Sequence, residues 1–472
     1  METKLNYKRT FLIGLAFLSI CSFWQMYDNI IPLILQNTYH LGETMTGAVM
    51  ALDNVLAIFL LPVFGTLSDK VHTKLGRRMP FIVSGTILAV IFMMLLPMID
   101  NAEKARWGTV ESFSNQVIFL AVLFFTLVSM GLYRSPAVAL MPDVTPNHLR
   151  SRANAVINLM GAVGGVYALI MIKVLVGKGE TPDYLPLFAS IAAVMAIAVG
   201  ILVVITIREN KLREEVEKAE AAIAETIEEK AMAEGVEAVG EIEAVGDTGA
   251  VKASDGKKQT GKTEGTKGMP KEVKRSMYFM LASIFLWFTA YNAVTTAFSR
   301  YTKVVWKMEG GSFANCLMVA TVAAILSYIP IGNISAKIGR KKTIMGGVLL
   351  MAACYGGAIF AREYHPIINV AFALIGVAWA AINVNSYPMI VAMSSGSDVG
   401  KFTGTYYTFS MAAQILTPVL SGFLLENVSY NTLFPYALFF SLMAFLTMTQ
   451  VRHGDVKPQK KESILENFDV DD

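Results

Sequence analysis

The sequence predicts an all-α membrane protein of twelve transmembrane helices arranged in two six-helix halves. Of its 472 residues, 54% are hydrophobic and 16% are charged, and the mean hydropathy is +0.50. A soluble globular chain of average composition is far more polar. Apolar runs long enough to cross roughly 30 Å of hydrocarbon recur almost end to end. A short basic segment between two such runs occurs once in each half of the chain.

The apolar runs are expected to be helices, because lipid offers the backbone no water to bond and barrel strands alternate over only about ten residues. The twelve predicted spans cover residues 10–36, 44–67, 79–99, 114–141, 153–176, 184–207, 276–299, 312–335, 343–361, 365–393, 402–425 and 430–450. The predicted segments are an N-terminal bundle over 1–207, a cytoplasmic helix and flexible linker over 208–275, a C-terminal bundle over 276–451 and a cytoplasmic tail over 452–472.

Basic residues are concentrated in the loops on one side of the predicted bundle. They are Lys4, Lys8 and Arg9 before span 1, Lys70, Lys74, Arg77 and Arg78 after span 2, Arg150 and Arg152 after span 4, and Arg340, Lys341 and Lys342 after span 8. Since such loops stay in the cytoplasm, both termini are expected there and the protein in a cytoplasmic (inner) membrane. The exceptions are Lys104 and Arg106 after span 3, and Arg300, Lys303 and Lys307 after span 7.

Composition also bounds the function. The net charge of +3 reflects this loop pattern and does not indicate nucleic-acid binding. Three cysteines, Cys21, Cys316 and Cys354, all fall inside predicted spans, where they behave as small buried residues. The histidines are scattered among loops and the tail. We therefore predict no metal site, no cofactor and no enzyme activity.

The central segment contains a misleading motif. "GKKQTGKT", at Gly256–Thr263, matches the phosphate-loop pattern. A working phosphate loop lies between a buried strand and a helix, and the flanking Gly- and Lys-rich sequence predicts neither. We interpret the match as chance.

The repeated basic segment indicates a duplicated transporter. "GTLSDKVHTKLGRRMPF" begins at Gly65 and "GNISAKIGRKK" at Gly332, each at the end of the second span of its half. In each copy a serine follows three residues after the glycine, and Gly-Arg-Arg or Gly-Arg-Lys comes later. Two six-helix halves with matching loops are typical of transporters whose halves rock about a central site.

The chain resembles the major facilitator superfamily, and within it the sucrose transporters and solute carrier family 45 of the glycoside–cation symporter group. The residues that carry this resemblance are Ser68, Asp69, Gly76, Arg77, Arg78, Pro80 and Phe81 after span 2, and Pro136, Ala139, Leu140 and Asp143 at the end of span 4. The resemblance implies a functional monomer that couples sugar movement to a cation. Where plant sucrose transporters have an Asp and an Arg in helix 4, however, this chain has Leu127 and Val138.

The basic loops are also candidates for a gate. An acid and glycines are not needed for orientation alone, so we expect Asp69 to pair with arginine and helix ends while the cytoplasmic side is shut, and to release on opening. The alternative is that these loops only fix topology. Ala336 replaces the acid in the second copy, so a weaker gate is expected there. The predicted gating residues are Gly65, Asp69, Gly76, Arg77, Arg78, Gly339 and Arg340.

Three ionisable residues are expected at membrane depth within the predicted spans: Asp28, Asp53 and Arg134. Charges at membrane depth are costly and are tolerated mainly where they face a cavity or a partner. An acid that approaches or leaves an arginine as the halves move changes its proton affinity. We therefore predict that these three residues couple transport to H⁺. A static ion pair is the alternative, and Asn29 and Asn54 beside the acids leave Na⁺ coupling open.

A sugar site needs hydrogen-bonding groups and an aromatic face. The predicted substrate-binding residues are Trp24, Gln25, Asn29, Asn54, Tyr133, Asn158, Tyr291, Asn292, Asn383, Asn385 and Tyr387. Packing between helices is the alternative role for each of them. In addition, "NVNSYP" at the end of span 10 is expected to break that helix.

The leading hypothesis is a proton-coupled symporter of sucrose or a related glycoside that works by alternating access. Its expected partners are a small-molecule sugar, H⁺ or Na⁺, and membrane lipid, with no nucleic acid. The alternatives are a Na⁺-coupled carrier or an exporter of another small polar solute, and a membrane sensor whose rocking is transmitted by the 208–275 segment or the tail.

Overall fold

The structure of this chain is a computed structural model that describes residues 5–106, 113–146, 149–179, 181–206, 209–218, 220–221, 270–393 and 399–456. Most of the predicted linker and the end of the tail, together with the Gly256–Thr263 motif, lie outside these residues. Within them no strand occurs. The helical stretch at 209–218 begins the segment that was expected to be a cytoplasmic helix.

Twelve long helices occur in the described residues, one for each predicted span, so the all-α fold class is confirmed. They are α1 Tyr7–Asn37, α2 Glu43–Lys70, α3 Met79–Lys104, α4 Phe113–Asp143, α5 Arg150–Leu175, α6 Leu185–Thr206, α7 Lys271–Val304, α8 Ala314–Ile338, α9 Arg340–Ala358, α10 Ile368–Met393, α11 Val399–Asn427 and α12 Leu433–Thr449. Ten of them are long and apolar enough to cross a membrane by themselves, and α12 is so together with the turn Tyr430–Thr432 before it. The exception is α9, which has 19 residues and begins with three basic ones.

Local sequence sets several helix ends. The Asn6 side chain accepts a hydrogen bond from the Arg9 backbone N–H at 3.1 Å and caps α1. Pro80 lies in the first turn of α3, where its missing N–H costs nothing. Gly339 separates α8 from α9 with a φ of +96°, a conformation that favours glycine. The chain therefore turns sharply at the second basic segment.

The two halves have the same packing pattern. In the first, α1 packs on α5 and α6, α3 on α4 and α6, and α2 on α4. In the second, α7 packs on α11 and α12, α9 on α10 and α12, and α8 on α10. Adding six to each helix number converts the first set into the second. The sequence repeat at Gly65 and Gly332 is therefore matched by a structural repeat.

The main contacts between the halves, among the described residues, are those of α2 with α11, α5 with α8 and α1 with α7. Because the helices alternate in direction, α1 begins and α12 ends on one face of the bundle, which we call the terminal face. On the other, which we call the opposite face, α1 ends and α2 begins. Glycines bring α2 and α11 together there: a Cβ at Gly47 would overlap the carbonyl oxygen of Pro418.

Small residues also allow α1 and α5 to touch. The Ser22 hydroxyl donates a hydrogen bond to the Gly164 carbonyl oxygen at 2.9 Å. A Cβ at Gly164 would overlap the backbone of Leu18, which cannot move aside as a flexible side chain does. Close packing of this pair therefore depends on glycine at position 164.

We expect Gly164→Ala to lower the midpoint temperature of thermal unfolding in detergent, because α1 and α5 must separate at a cost of about 1–3 kcal/mol. Gly200→Ala is the matched control, since a Cβ there meets no neighbour within 4 Å. It should leave the midpoint unchanged or raise it slightly, through the better helix propensity of alanine. Equal midpoints for the two variants would contradict close α1–α5 packing.

Candidate functional site

The middle of α1 presents buried polar atoms that have no protein partner. They are Trp24 Nε1, Tyr27 Oη and Asn29 Oδ1, none of which has a hydrogen bond in the described structure. Trp24 packs edge-on against Tyr27, with ring centroids 5.4 Å apart. Since a buried polar group without a partner costs free energy, this stretch of α1 is suited to a polar ligand.

The three predicted coupling residues lie close together around this stretch. Asp28 on α1, Asp53 on α2 and Arg134 on α4 are all half-buried, and Asp53 interacts electrostatically with both of the others. The Arg134 guanidinium lies over the Trp24 ring, 5.9 Å from its centroid. Within the described part of the chain, neither acid forms an ion pair with Arg134 at 4.0 Å or less. The cluster therefore does not contain a closed static ion pair.

The second half contributes an aromatic platform. Tyr291 on α7 stacks on Trp379 on α10, with ring centroids 3.8 Å apart and planes 6° from parallel. Phe288 packs edge-on against the same Trp379 ring at 5.3 Å. Asn292 follows Tyr291, and its Nδ2 is buried without a hydrogen-bond partner. Because α7 contacts α1, the platform and the polar atoms of α1 belong to neighbouring helices of the two halves.

Trp379 is not among the substrate-binding residues predicted from the sequence, which in the same span are Asn383, Asn385 and Tyr387. A signal was present, since Trp379 precedes Asn383 by four residues and so shares its helix face. Tyr27 was also missed. An aromatic residue in an apolar span resembles any other packing residue until its neighbours are known.

Several predicted substrate-binding residues form hydrogen bonds to other residues of their own half. Tyr133 shares a 2.6 Å hydrogen bond with Ser19 and donates to the Ala16 carbonyl oxygen at 3.1 Å. Asn54 donates to Asp53 at 2.8 Å. The others placed in this way are Asn29, which donates to the Gln25 carbonyl oxygen at 2.8 Å, Asn385, which joins Ser335 on α8, and Tyr387, which bonds Thr403 on α11 at 3.1 Å. Asn158 is half-buried on α5, and Asn383 is buried on α10.

The prediction that "NVNSYP" breaks the tenth helix is wrong. The α10 helix continues through Pro388 to Met393. The Asn385 amide donates to the Ala381 carbonyl oxygen at 2.9 Å, which holds the turn before the proline in helical form. Membrane helices tolerate such prolines where neighbouring groups satisfy the backbone.

The first basic segment forms an ion-pair cluster, the basic-loop cluster, of Asp69, Arg77, Arg78 and Asp143. Arg77 lies 2.5 Å from Asp143 and 3.7 Å from Asp69. Arg78 lies 2.5 Å from Asp69 and 2.9 Å from Asp143. Burial acts to lower the pKa of the Arg77 guanidinium, but Asp143, Asp69 and the nearby Glu209 outweigh it and raise that pKa above its ordinary value. The cluster ties α2, α3 and α4 of the first half together.

The predicted glycines of this segment have identifiable roles. Arg78 also donates to the Ser68 hydroxyl at 2.5 Å and to the Gly65 carbonyl oxygen at 3.3 Å, at the end of α2. A side chain at Gly65 would approach Ser135 on α4. Gly76 adopts a φ of +110°, and its missing side chain leaves room for Glu209.

Glu209, just after α6, was not identified from the sequence. It is fully buried, and its carboxylate accepts backbone N–H bonds from Arg77, Arg78 and Met79 at 3.1–3.3 Å. These groups form the N-terminus of α3, where a negative charge is stabilised by the helix dipole. The segment that follows α6 is thereby fixed to the basic-loop cluster.

The second half has an equivalent carboxylate after its own last helix. Asp455 accepts a hydrogen bond from the Lys341 backbone N–H at 3.1 Å and lies against Gly339, at the start of α9. Arg340 interacts electrostatically with the same acid. The second basic segment has Ala336 where the first has an acid. Asp455, which follows α12, supplies a carboxylate to this segment. The sequence did contain a signal for both acids, because Glu209 follows the end of α6 by three residues and Asp455 follows the end of α12 by six.

The two predicted topological exceptions have partners. Lys104, in the last turn of α3, lies 2.5 Å from Asp100, which is fully buried. Arg300, near the end of α7, lies 2.8 Å from Glu43 at the start of α2. Lys104 and Arg300, one from each exceptional loop, are thus each paired with a buried acid.

Contacts between the halves are concentrated at the opposite face. The hydrogen bonds and ion pairs that join the two halves at this face involve Glu43, Thr44, Arg300, Glu426 and Tyr430, together with an exposed pair between Lys178 and Glu309. The basic-loop cluster at the terminal face joins helices of the first half alone.

The chain belongs to the Major Facilitator Superfamily. The model of that family matches residues 11–327 and 307–467, which together include both halves. The chain is therefore a multi-pass membrane transporter, and the prediction that it is not an enzyme is confirmed.

Curated relatives match short stretches of the chain. The chloramphenicol resistance protein CraA of Acinetobacter baumannii is 30% identical over 101 residues, which are 21% of this chain and 24% of that protein. The sucrose transport protein SUC4 of Arabidopsis thaliana is 34% identical over 116 residues, 23% of this chain and 22% of that protein. The chain thus spans about a quarter of the length of these relatives.

Solved structures match nearly the whole chain. The inward open conformation of the xylose transporter XylE from E. coli has a TM-score of 0.63 at 13% identity, and the match covers 98% of each chain. At this identity the likeness establishes the fold.

We expect Gly76→Ala to lower the unfolding midpoint in detergent more than Gly179→Ala. Both glycines have strongly positive φ, +110° and +118°, so backbone strain of about 1–3 kcal/mol is common to both variants. A Cβ at position 76 also displaces Glu209 from its three N–H donors, whereas one at 179 meets nothing within 4 Å. Equal losses would argue against a stabilising role for Glu209.

Proposed function

We propose that this chain is a proton-coupled symporter of sucrose or a related glycoside that works by alternating access. The observation that carries the proposal is the pairing of an aromatic platform on α7 and α10 with unpartnered polar atoms on α1. The similarity to a sucrose transport protein of Arabidopsis thaliana supports the substrate class.

A sugar has two kinds of surface, and the site offers a match for each. Its C–H faces pack on aromatic rings, which Tyr291 and Trp379 provide as one stacked unit. Its hydroxyls can both donate and accept, so they would satisfy Trp24 Nε1, Asn29 Oδ1 and Asn292 Nδ2. Binding between α1 and α7 then links the two halves through the substrate.

Coupling is assigned to Asp53, with Arg134 as its partner and Asp28 as a second acid. Arg134 lies over Trp24 and forms no ion pair of 4.0 Å or less with Asp53 in the described structure. Movement of the Arg134 side chain would change its separation from Asp53 and hence the stability of the carboxylate charge. Because Trp24 also offers its Nε1 to the substrate, occupancy by sugar and the position of Arg134 become linked.

We assign the terminal face to the cytoplasm, because the basic loops lie there. The contacts of Glu43 with Arg300 and Tyr430 then join the halves on the extracellular side. The basic-loop cluster is intact in this structure, so its four residues hold the first half together as a rigid body. Release of Asp69 when the cytoplasmic side opens stays a prediction.

Export is a second candidate, favoured by the similarity to the chloramphenicol resistance protein CraA. An exporter would use the same acids, with H⁺ moving against the solute. Na⁺ coupling is a further alternative, since Asp53 and Asn54 supply oxygen ligands of the kind that hard cations prefer. The driving gradient distinguishes these cases from proton symport.

The decisive experiment is uptake of radiolabelled sucrose and maltose by proteoliposomes under an imposed pH gradient or an imposed Na⁺ gradient. We expect uptake driven by the pH gradient, and its loss in Asp53→Asn, because an amide cannot bind and release a proton. Asp183→Asn is a control on an exposed acid at the end of the bundle. It should transport normally.

The gradients decide between the candidates. Uptake driven by the Na⁺ gradient alone would identify Na⁺ as the coupling ion. Outward movement of chloramphenicol would favour export. Absence of sucrose and maltose uptake under both gradients would refute the sugar assignment and leave the transporter fold unaffected.

Trp379→Ala should raise the KM for the transported sugar about tenfold, since an aromatic face is worth about 0.5–1.5 kcal/mol beyond its buried area. Trp379→Phe keeps a face and should raise KM much less. Trp306→Ala is the control for removal of an indole, because Trp306 packs against Phe298 and Tyr301 away from the platform. An unchanged KM in Trp379→Ala would exclude the platform from the binding site.

A further inference from the structure

We propose that Glu43, Arg300 and Tyr430 form an extracellular gate that sets the balance between the two access states of the transporter. This inference rests on the proposed alternating-access function. It concerns residues on the face remote from the basic loops, and the role is a positioning one: these residues hold helices and do not touch substrate.

The gate joins three elements. Glu43 is the first residue of α2, and its Oε2 accepts a hydrogen bond from Arg300 Nε at 2.8 Å. Its other carboxylate oxygen accepts one from the Tyr430 hydroxyl, in the short 3₁₀ helix Tyr430–Thr432 between α11 and α12. Both oxygens are thus held by the second half, although Glu43 belongs to the first.

Burial makes this contact conditional on closure. The Glu43 and Arg300 side chains are only 5% and 4% exposed. Arg300 Nη1 also donates to the Thr296 carbonyl oxygen at 2.7 Å, so the guanidinium is oriented within its own helix. If the halves separate at this face, both charges return to water. The pair therefore has two discrete environments, dry in the closed state and solvated in the open one.

Backbone packing around the gate makes closure close to all-or-none. A Cβ at Gly422 on α11 would overlap the carbonyl oxygen of Glu43, as one at Gly47 would overlap that of Pro418. With α2 and α11 in backbone contact at Glu43 and again at Gly47, the Glu43 carboxylate is buried while the halves are joined. Opening requires α2 and α11 to part.

Removing one charge should destabilise the closed state specifically. In Glu43→Gln, Arg300 is buried without a countercharge when the face is shut, but is solvated normally when it is open. We expect the ratio of the open to the closed population at this face to rise about a hundredfold. Arg300→Gln leaves Glu43 unpaired and should act in the same direction, so the two variants test the gate independently.

The test is a distance measurement by double electron–electron resonance on the full chain in nanodiscs without substrate. Spin labels at Met45→Cys and Val428→Cys, both exposed at the opposite face, report the extracellular side. Labels at Lys70→Cys and Lys337→Cys report the terminal face. Native Cys21, Cys316 and Cys354 are first replaced by alanine.

We expect longer distances for the extracellular pair, and shorter ones for the terminal pair, in both single variants. The matched control is Glu426→Gln, which also changes an inter-half carboxylate, at 2.8 Å from the Thr44 N–H, but at an exposed site where such a contact contributes little. Its distances should match those of the native chain. The double variant Glu43→Gln with Arg300→Gln removes the unpaired charge and should return the distances toward native.

Unchanged distances in both single variants would overturn the gate, as would an equal shift in Glu426→Gln. Because no sugar is present, this result is independent of the substrate assignment. A shifted distribution in a chain that takes up no sugar would keep the gate and reject the sugar. Sugar uptake together with unshifted distances would keep the sugar assignment and reject the gate.

Discussion

Charge pairs at the two faces of the bundle hold its helices together, and their positions distinguish contacts within one half from contacts between the halves. Within the first half, Arg77 and Arg78 each contact Asp69 and Asp143, so three helices are held by one cluster. Between the halves, Arg300 pairs with Glu43 across a boundary. The same interaction stabilises a half in one place and joins two halves in the other.

The internal repeat extends beyond the helices to the segments that follow them. Glu209 after α6 caps the start of α3, and Asp455 after α12 lies against the start of α9. In both halves a carboxylate from outside the bundle therefore satisfies N–H groups at the terminal face. The two sites differ in strength, since Glu209 accepts three such bonds and is fully buried. Any movement of one half carries with it the chain segment attached there.

The fold was largely predictable because apolar length and basic loops are local properties of the chain. The site was predictable in part. Asp28, Asp53 and Arg134 stand out since each is an ionisable residue in an apolar run, and the structure brings them together. Trp379 and Glu43 do not stand out in this way. One is an aromatic residue in an apolar helix, and the other is an acid at a helix start, and their roles depend on partners distant in sequence.

The sequence by itself determined the number of helices, their division into two halves and the position of the basic loops, because hydrophobicity and charge act residue by residue. Tertiary structure decided which polar groups remain without partners and which acid meets which base. Tyr133 and Asn385 were predicted from their residue types alone, and only the structure shows their hydrogen bonds to Ser19 and Ser335 on neighbouring helices. Such pairings follow from the packing of helices far apart in the chain, and no local pattern encodes them.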